Sequence, residues 1–358
     1  MNNNKNNNKV KINNRILTLL AGYKSVSIIG MAKNAGKTTT LNHVIKEARG
    51  RMVLGLTSIG RDGEELDRVT ATEKPKIYIE KGTFIATAKQ CLFNSDITKE
   101  IIQTTGINTP MGEIVIARAL SDGFVDIGGP SVSTQIIGIC EYLKKMGCEL
   151  VIVDGALSRK SFASPAVTEA TILSTGAAYS KSMNDVINST VHTVNLLTTE
   201  SENDTEIIKL SNKLIKESRI SVIGKDRSIK KLNVLTALEA ASEITENLDE
   251  QSDYVVIKGV ISDKLLLDIM KSSDKYKNVT FLAEDGTKLF VNSDTLFRFK
   301  KQGGTLKVIN PINIACVTCN PMSPYGYEFN VNKFLGELRN RLDIPVFDVV
   351  GGRVKWNS

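Results

Sequence analysis

With 358 residues and 41% hydrophobic content, the chain has room for about two domains and a sizeable core. The formal net charge is +7, but Lys5, Lys9, Lys11 and Arg15 supply four of these charges, so residues 16–358 lack the basic surplus of a nucleic-acid binder. Five mostly isolated cysteines exclude a disulfide framework, and no stretch approaches the ~20 apolar residues of a membrane span, so the composition points to a cytoplasmic chain with no membrane partner.

Residues 1–15 are mostly asparagine and lysine, cannot bury a core, and are expected to form a disordered tail. Ile16–Gly22 is too short for a signal peptide and runs straight into the next strand, so it reads as a helical lead-in. The β-branched run Ser25–Ile29 then enters the small-residue loop Gly30-Met-Ala-Lys33-Asn34-Ala35-Gly36-Lys37-Thr38-Thr39, and the periodic apolar residues Leu41, Val44 and Ile45 follow. Strand, loop and helix in this order are what a phosphate-binding loop requires.

Small residues at Gly30, Lys33-Asn34-Ala35 and Gly36 let successive amides converge on phosphate oxygens, helped by the positive end of the helix. Lys37 is expected to neutralise the β- and γ-phosphates, and the Thr38 hydroxyl to ligate Mg²⁺, with Thr39 beside it in the first turn. The match is irregular, because Met31 stands where the usual pattern has its first glycine and Gly30 comes one residue early. The assignment therefore rests on Gly36-Lys37-Thr38 together with its flanking strand and helix.

Further along, Met52–Gly60 predicts a strand that leads into the turn Arg61-Asp62-Gly63-Glu64. Asp62 reads either as a simple turn residue or as a group that orients the attacking water or binds Mg²⁺. Ile114–Ala117 and Phe124–Ile127 predict a strand pair stopped by Gly129-Pro130, and Thr134–Met146 a helix. Glu149–Ala156 is an apolar strand ending in Asp154, at the edge where open α/β sheets gather their ligands; Asp154 reads as a Walker B carboxylate that holds Mg²⁺ directly or through a water, or else as an aspartate that caps the next turn. The polar stretch after it carries Arg159 and Lys160 as secondary phosphate contacts, a brief strand at Thr171–Leu173 follows, and Lys181–Leu197 predicts a helix.

Thr198–Asp204 is the expected boundary between a nucleotide-binding domain over 16–200 and a second, smaller α/β domain over 205–358 that serves partner or client binding. In that second half Arg219–Gly224, Tyr254–Gly259, Val279–Leu282 and Ile312–Val317 predict strands spaced by helices. Asn320–Tyr327 reads equally as a binding loop or an irregular connection. Cys316-Val-Thr-Cys319 has metal-ligand spacing, yet no second pair or linked histidine accompanies it, so no structural metal site is read there. The fold expected is thus an α/β P-loop NTPase with a mostly parallel sheet, followed by a smaller α/β domain. The cofactors expected are ATP and Mg²⁺. ATP is preferred over GTP because the Asn-Lys-x-Asp signature of guanine-specific proteins is missing.

The linked signatures Gly30–Thr38, Gly60-Arg-Asp62-Gly-Glu64, Thr72-Glu-Lys-Pro-Lys-Ile77, Thr109-Pro-Met-Gly112, Val153-Asp154-Gly-Ala-Leu157 with Arg159-Lys160-Ser161, and Ser164-Pro-Ala with Thr171–Gly176 resemble the P-loop subunit of the lysine 5,6-aminomutase reactivase. The resemblance is strong over residues 23–200 and weak beyond. It implies a partner, a MutS-like ATPase subunit, and a client, a cobalamin-dependent aminomutase acting on lysine or ornithine. It also implies an ATPase-driven cycle that releases damaged cobalamin so that adenosylcobalamin can bind. Two other classes stay open on the residues: a small-molecule kinase or synthetase, and a GTP-binding cofactor-insertion protein similar to the molybdenum-cofactor adaptor family.

Overall fold

The computed structural model describes residues 15–60, 77–155, 164, 167–234 and 239–350. The tail 1–14, the turn carrying Asp62, and Arg159 with Lys160 lie outside the described residues. The first part of the chain runs α1 (Ile16–Leu20), β1 (Ser25–Gly30), α2 (Lys37–Ala48), β2 (Leu54–Ser58), β3 (Ile77–Ile79), β4 (Phe84–Ala88) and α3 (Lys89–Phe93). The hairpin β5 (Lys99–Thr109) and β6 (Gly112–Ala119) follows, then β7 (Gly123–Val125), α4 (Ser133–Lys145), β8 (Leu150–Asp154), β9 (Ala170–Gly176) and α5 (Met183–Leu197).

Nine strands make one sheet in the order β18-β17-β9-β1-β8-β2-β4-β6-β5, where β17 (Ile314–Asn320) and β18 (Val346–Asp348) come from the far end of the chain. Every pairing from β18 to β4 is parallel, and only β6 and β5 add antiparallel contacts. The protein is therefore mixed α/β with a large, mostly parallel sheet. Parallel strands need cover on both faces, and the residues show it. On one face Val26, Ile28, Leu150, Ile152 and Ile172 pack with Leu41, Val44 and Ile45 of α2 and with α1. On the other, Val151 and Val153 meet Ile136, Ile139 and Leu143 of α4, while Ile29 and Leu173 meet α5 and α10 (Val331–Arg341). Polar residues inside the sheet pair with each other, as Ser27 and Thr171 do across β1 and β9 at 2.9 Å between their hydroxyl oxygens.

A second sheet, β11-β10-β12-β14-β16, contains β10 (Ile220–Gly224), β11 (Ile229–Leu232), β12 (Ser252–Ile257), β14 (Thr280–Ala283) and β16 (Thr305–Val308). Its helices are α6 (Thr205–Glu217), α7 (Ala240–Asn247), α8 (Asp263–Ser272) and α9 (Ser293–Lys301), with a small ladder of β13 (Ile261–Ser262) and β15 (Leu289–Phe290). Its own core centres on Phe281, Phe299, Tyr276 and Leu266.

Two expectations are corrected. The sequence assigns all of 205–358 to a second domain, but the chain comes home: β17 pairs with β9 and β18 with β17, so the second unit is an insertion between α5 and β17. Cys316 buries on one face of the large sheet and Val317 and Cys319 on the other, as befits a strand paired on both edges, by β9 and β18. The insertion also leaves and re-enters at one place, where Ser201 bridges Val308 and the Val308 amide donates to the Glu200 carbonyl at 2.9 Å. Second, Ile114–Ala117 and Phe124–Ile127 do not pair with each other. The former lies in β6 between β4 and β5, and Gly123–Val125 forms a separate antiparallel ladder with Ile77–Ile79. Among the described residues no helix is long and apolar enough to cross a membrane.

Candidate functional site

Gly30 ends β1 and Asp154 ends β8, and the two strands are neighbours with Ile28 opposite Asp154. The Gly155 amide donates back to the Ile28 carbonyl at 2.9 Å, and a Cβ at Gly155 would lie 2.6 Å from that same oxygen. Glycine is needed there because two strand ends meet with no room for a methyl group. The loop after Gly30 is anchored on its other side, where the Met31 amide donates to the Ser174 carbonyl of β9 at 2.9 Å.

The loop then turns through two left-handed residues, Asn34 (φ 60°) and Gly36 (φ 98°), before α2 begins at Lys37. Asparagine and glycine are the residues that tolerate this region, so Lys33-Asn34-Ala35-Gly36 builds the turn although the usual first glycine is absent. Helix α2 has no side-chain cap and no acidic residue in its first turn, where Thr38 and Thr39 lie. Gly36 at its N-cap thus supplies none of the side-chain acceptors that usually satisfy the first amides of a helix.

Lys37 does not extend into solvent. A Cβ built on Gly30 would meet Lys37 Cγ at 3.0 Å, Cδ at 3.1 Å and Nζ at 3.2 Å, so the lysine stem folds back over the end of β1. Burial pulls its pKa below the ordinary 10.5, and the Asp154 carboxylate opposes that shift. The result is an ammonium stripped of much of its water, aimed at the loop and facing one carboxylate. The path toward Asp62 starts beside this pair, since the Ile59 amide donates to the Asp154 carbonyl at 3.0 Å.

Of the sequence-predicted residues, the structure brings together Gly30, Lys33, Asn34, Ala35, Gly36, Lys37, Thr38, Thr39 and Asp154 at one sheet edge. Asp62, Arg159 and Lys160 lie outside the described residues. Among the described residues no three His, Cys, Asp or Glu side chains cluster as a ready metal cage. A cation held by one carboxylate, one hydroxyl and ligand oxygens needs no such cluster, and Mg²⁺ is bound in that manner. Asp154 and Thr38 are the residues whose chemistry fits that donor set, and Lys37 is the cation that would face a phosphate chain. Cys316 and Cys319 face opposite sides of the sheet and do not form a shared ligand pair.

Four residues that sequence reading left unassigned also belong here. Thr40 of α2, Ser174 of β9 and Thr318 of β17 share a buried hydroxyl cluster, with oxygen separations of 2.8 Å (Thr40–Thr318), 2.9 Å (Ser174–Thr318) and 3.2 Å (Thr40–Ser174). Asn320, at the end of β17, directs Nδ2 to the Asn34 carbonyl at 3.5 Å and packs its Cβ against Gly36. The signal available in the sequence was the turn-rich run that begins at Asn320, which no local rule assigns to this edge.

A cleft of about 340 Å³ on the second unit is lined by Glu217, Arg219, Lys231 and Val234. It has no comparable chemistry, because Lys231 is already paired with Glu217 at 2.7 Å. Comparison of the chain with protein-family models, characterised proteins and solved structures finds no match. The functional reading therefore stands on the geometry of the site and on its residues.

Proposed function

We propose that this protein binds a magnesium nucleoside triphosphate, ATP, at the loop between β1 and α2 and hydrolyses it. The observation that carries this reading is Lys37 folded over Gly30 with Asp154 on the neighbouring strand. A buried lysine beside a loop of left-handed turns, an uncapped helix start and a carboxylate at the next strand end together support a P-loop NTPase site.

In this reading the amides of Gly30, Lys33, Asn34, Ala35 and Gly36 cradle the phosphates, and Lys37 supplies the cation that balances their charge. Thr38 and Asp154 hold Mg²⁺, whose charge polarises the transferred phosphoryl group. Asp62 senses the γ-phosphate, with Arg159 and Lys160 in reserve. Burial makes Lys37 effective, because a partly desolvated ammonium interacts more strongly with phosphate than a hydrated one does.

At the level of biology we propose a subunit of a reactivating factor, a reading that rests on the resemblance of the signatures over residues 23–200. Together with a MutS-like ATPase subunit, the chain would use the ATP cycle to release damaged cobalamin from a radical aminomutase. An NTPase suits such work, because gain and loss of a γ-phosphate bias a two-state element, and that bias can open a client that grips a dead cofactor. The inserted second unit is the natural place for partner or client contacts.

The test has two stages. Titration calorimetry should give Mg-dependent ATP binding that Lys37→Ala weakens by about thirtyfold or more, the cost of removing one member of a buried charge contact. Unchanged affinity in that variant would remove the nucleotide reading. An inactivated aminomutase supplied with adenosylcobalamin, this protein, its partner and Mg-ATP should then regain activity. Recovery that does not depend on this protein or on ATP hydrolysis would remove the reactivase reading and favour a metabolite kinase.

A further inference from the structure

We propose that Ser174 and Thr318 are positioning residues that set the aperture of the phosphate loop; this rests on the reading of the β1–α2 loop as the nucleotide site. Ser174 of β9 grips that loop at both ends. Its carbonyl accepts from the Met31 amide at 2.9 Å, where the chain has just left β1, and its hydroxyl oxygen lies 3.2 Å from that of Thr40, where the loop has already become α2. Lys37 and Thr38 lie between these two anchors, so the anchors govern where both side chains sit.

Thr318 locks the two hydroxyls from a third element. Its own oxygen stands 2.8 Å from that of Thr40 and 2.9 Å from that of Ser174, and all three residues are at most 1% exposed. Three hydroxyls in a triangle can donate around a ring, each giving one hydrogen bond and accepting one. Removing one member leaves the other two short of a partner in a place that water does not reach. A fully paired buried network holds one geometry, so the loop is held from β17, a strand fixed in the sheet by its pairing with β9 and β18.

A second buried hydroxyl pair in the same sheet supplies the contrast. Ser27 and Thr171 bond at 2.9 Å between β1 and β9 and are as deeply buried, but their bond ties strand to strand and reaches no residue of the loop. Both sets of hydroxyls stabilise the sheet. Only the triangle joins that stability to the geometry around Lys37 and Thr38.

The experiment is titration of Mg-ATP and Mg-tripolyphosphate into the full-length protein and its Thr318→Val, Thr318→Ser, Ser174→Ala and Thr171→Val variants, at a temperature where melting curves show them folded. Valine keeps the shape of threonine without the hydroxyl, serine keeps the hydroxyl, and Ser174→Ala keeps the carbonyl that holds Met31. The expected result is that Thr318→Val and Ser174→Ala each lose about fivefold in affinity for both ligands, the worth of one hydrogen bond that orders the loop. Thr318→Ser should keep wild-type affinity, and Thr171→Val should lower the melting temperature without changing affinity. Unchanged affinity in Thr318→Val and Ser174→Ala, or an equal loss in Thr171→Val, would make the triangle a plain element of the core. A loss confined to ATP would place its action at the nucleoside, and a loss in Thr318→Ser as large as in Thr318→Val would tie the effect to packing; each of these results overturns the proposal. Failure of the underlying reading looks different, because wild type would then bind neither ligand.

Discussion

Thr40 and Thr318 share a buried hydrogen bond at 2.8 Å although 278 positions separate them in sequence. One residue lies in the helix that starts at the phosphate loop, the other in a strand that follows the inserted unit, so the candidate site is complete only when the end of the chain has joined the sheet.

This coupling is measurable. Thr40→Val and Thr318→Val are near-isosteric, and each leaves Ser174 with one hydroxyl neighbour. Urea unfolding of the two single variants and the double variant should give a non-additive energy of about 1 kcal/mol. Simple additivity would mean that α2 and β17 are not held together through these hydroxyls.

Truncation tests the topology. A chain that stops at Thr199 lacks β17 and β18 and exposes β9, which is buried along its whole length, to water on its open edge. It should lose cooperative thermal unfolding. Replacing residues 202–307 by a short Gly/Ser linker should instead keep a cooperative transition, because Ser201 and Val308 already lie side by side. Circular dichroism melting of both chains decides the matter, and a cooperative transition in the chain that stops at Thr199 would contradict the returning strands.

Lys37 gives a pH signature in the nucleotide-free protein. Its folded pKa lies below 10.5, the value of the unfolded chain, so between these two values the unfolded state binds more protons and stability rises with pH. Below that window the buried ammonium costs the fold free energy. Wild type should therefore gain in melting temperature relative to Lys37→Met as the pH is raised from neutral toward 10.5. A difference that is flat with pH, or that moves in the opposite direction, would place Lys37 in water.

Two glycines separate function from folding. At Gly30 an added Cβ meets only the flexible Lys37 side chain, so Gly30→Ala should fold normally and lower ATP affinity by about tenfold or more as the lysine is displaced. At Gly155 the Cβ meets the backbone carbonyl of Ile28, which cannot step aside, so Gly155→Ala should cost about 1–3 kcal/mol of stability. Denaturant melts and calorimetry on both variants check the contrast. Equal effects on affinity and stability in the two would mean that Lys37 does not rest on Gly30.

The local elements of the site were legible in the amino-acid order. Alternation of buried β-branched runs with amphipathic helices specified the strands at Ser25–Gly30 and Leu150–Asp154, and Lys33-Asn34-Ala35-Gly36 announced a turn, because these signals are read within a few residues of each other; the left-handed backbone at Asn34 and Gly36 appeared only in the structure. The edge hairpin Lys99–Thr109 with Gly112–Ala119 was legible only in its buried half, since the outer strand has no face fully covered and so carries no clean period. Which strand lies beside which is a different matter, settled by long-range packing alone. Ile314–Asn320 has the same apolar pattern whether it closes the second sheet or completes the first. Its place beside β9 follows from a fit on both faces and from the hydroxyls of Thr40, Ser174 and Thr318, contacts made across almost the whole chain that no local pattern encodes.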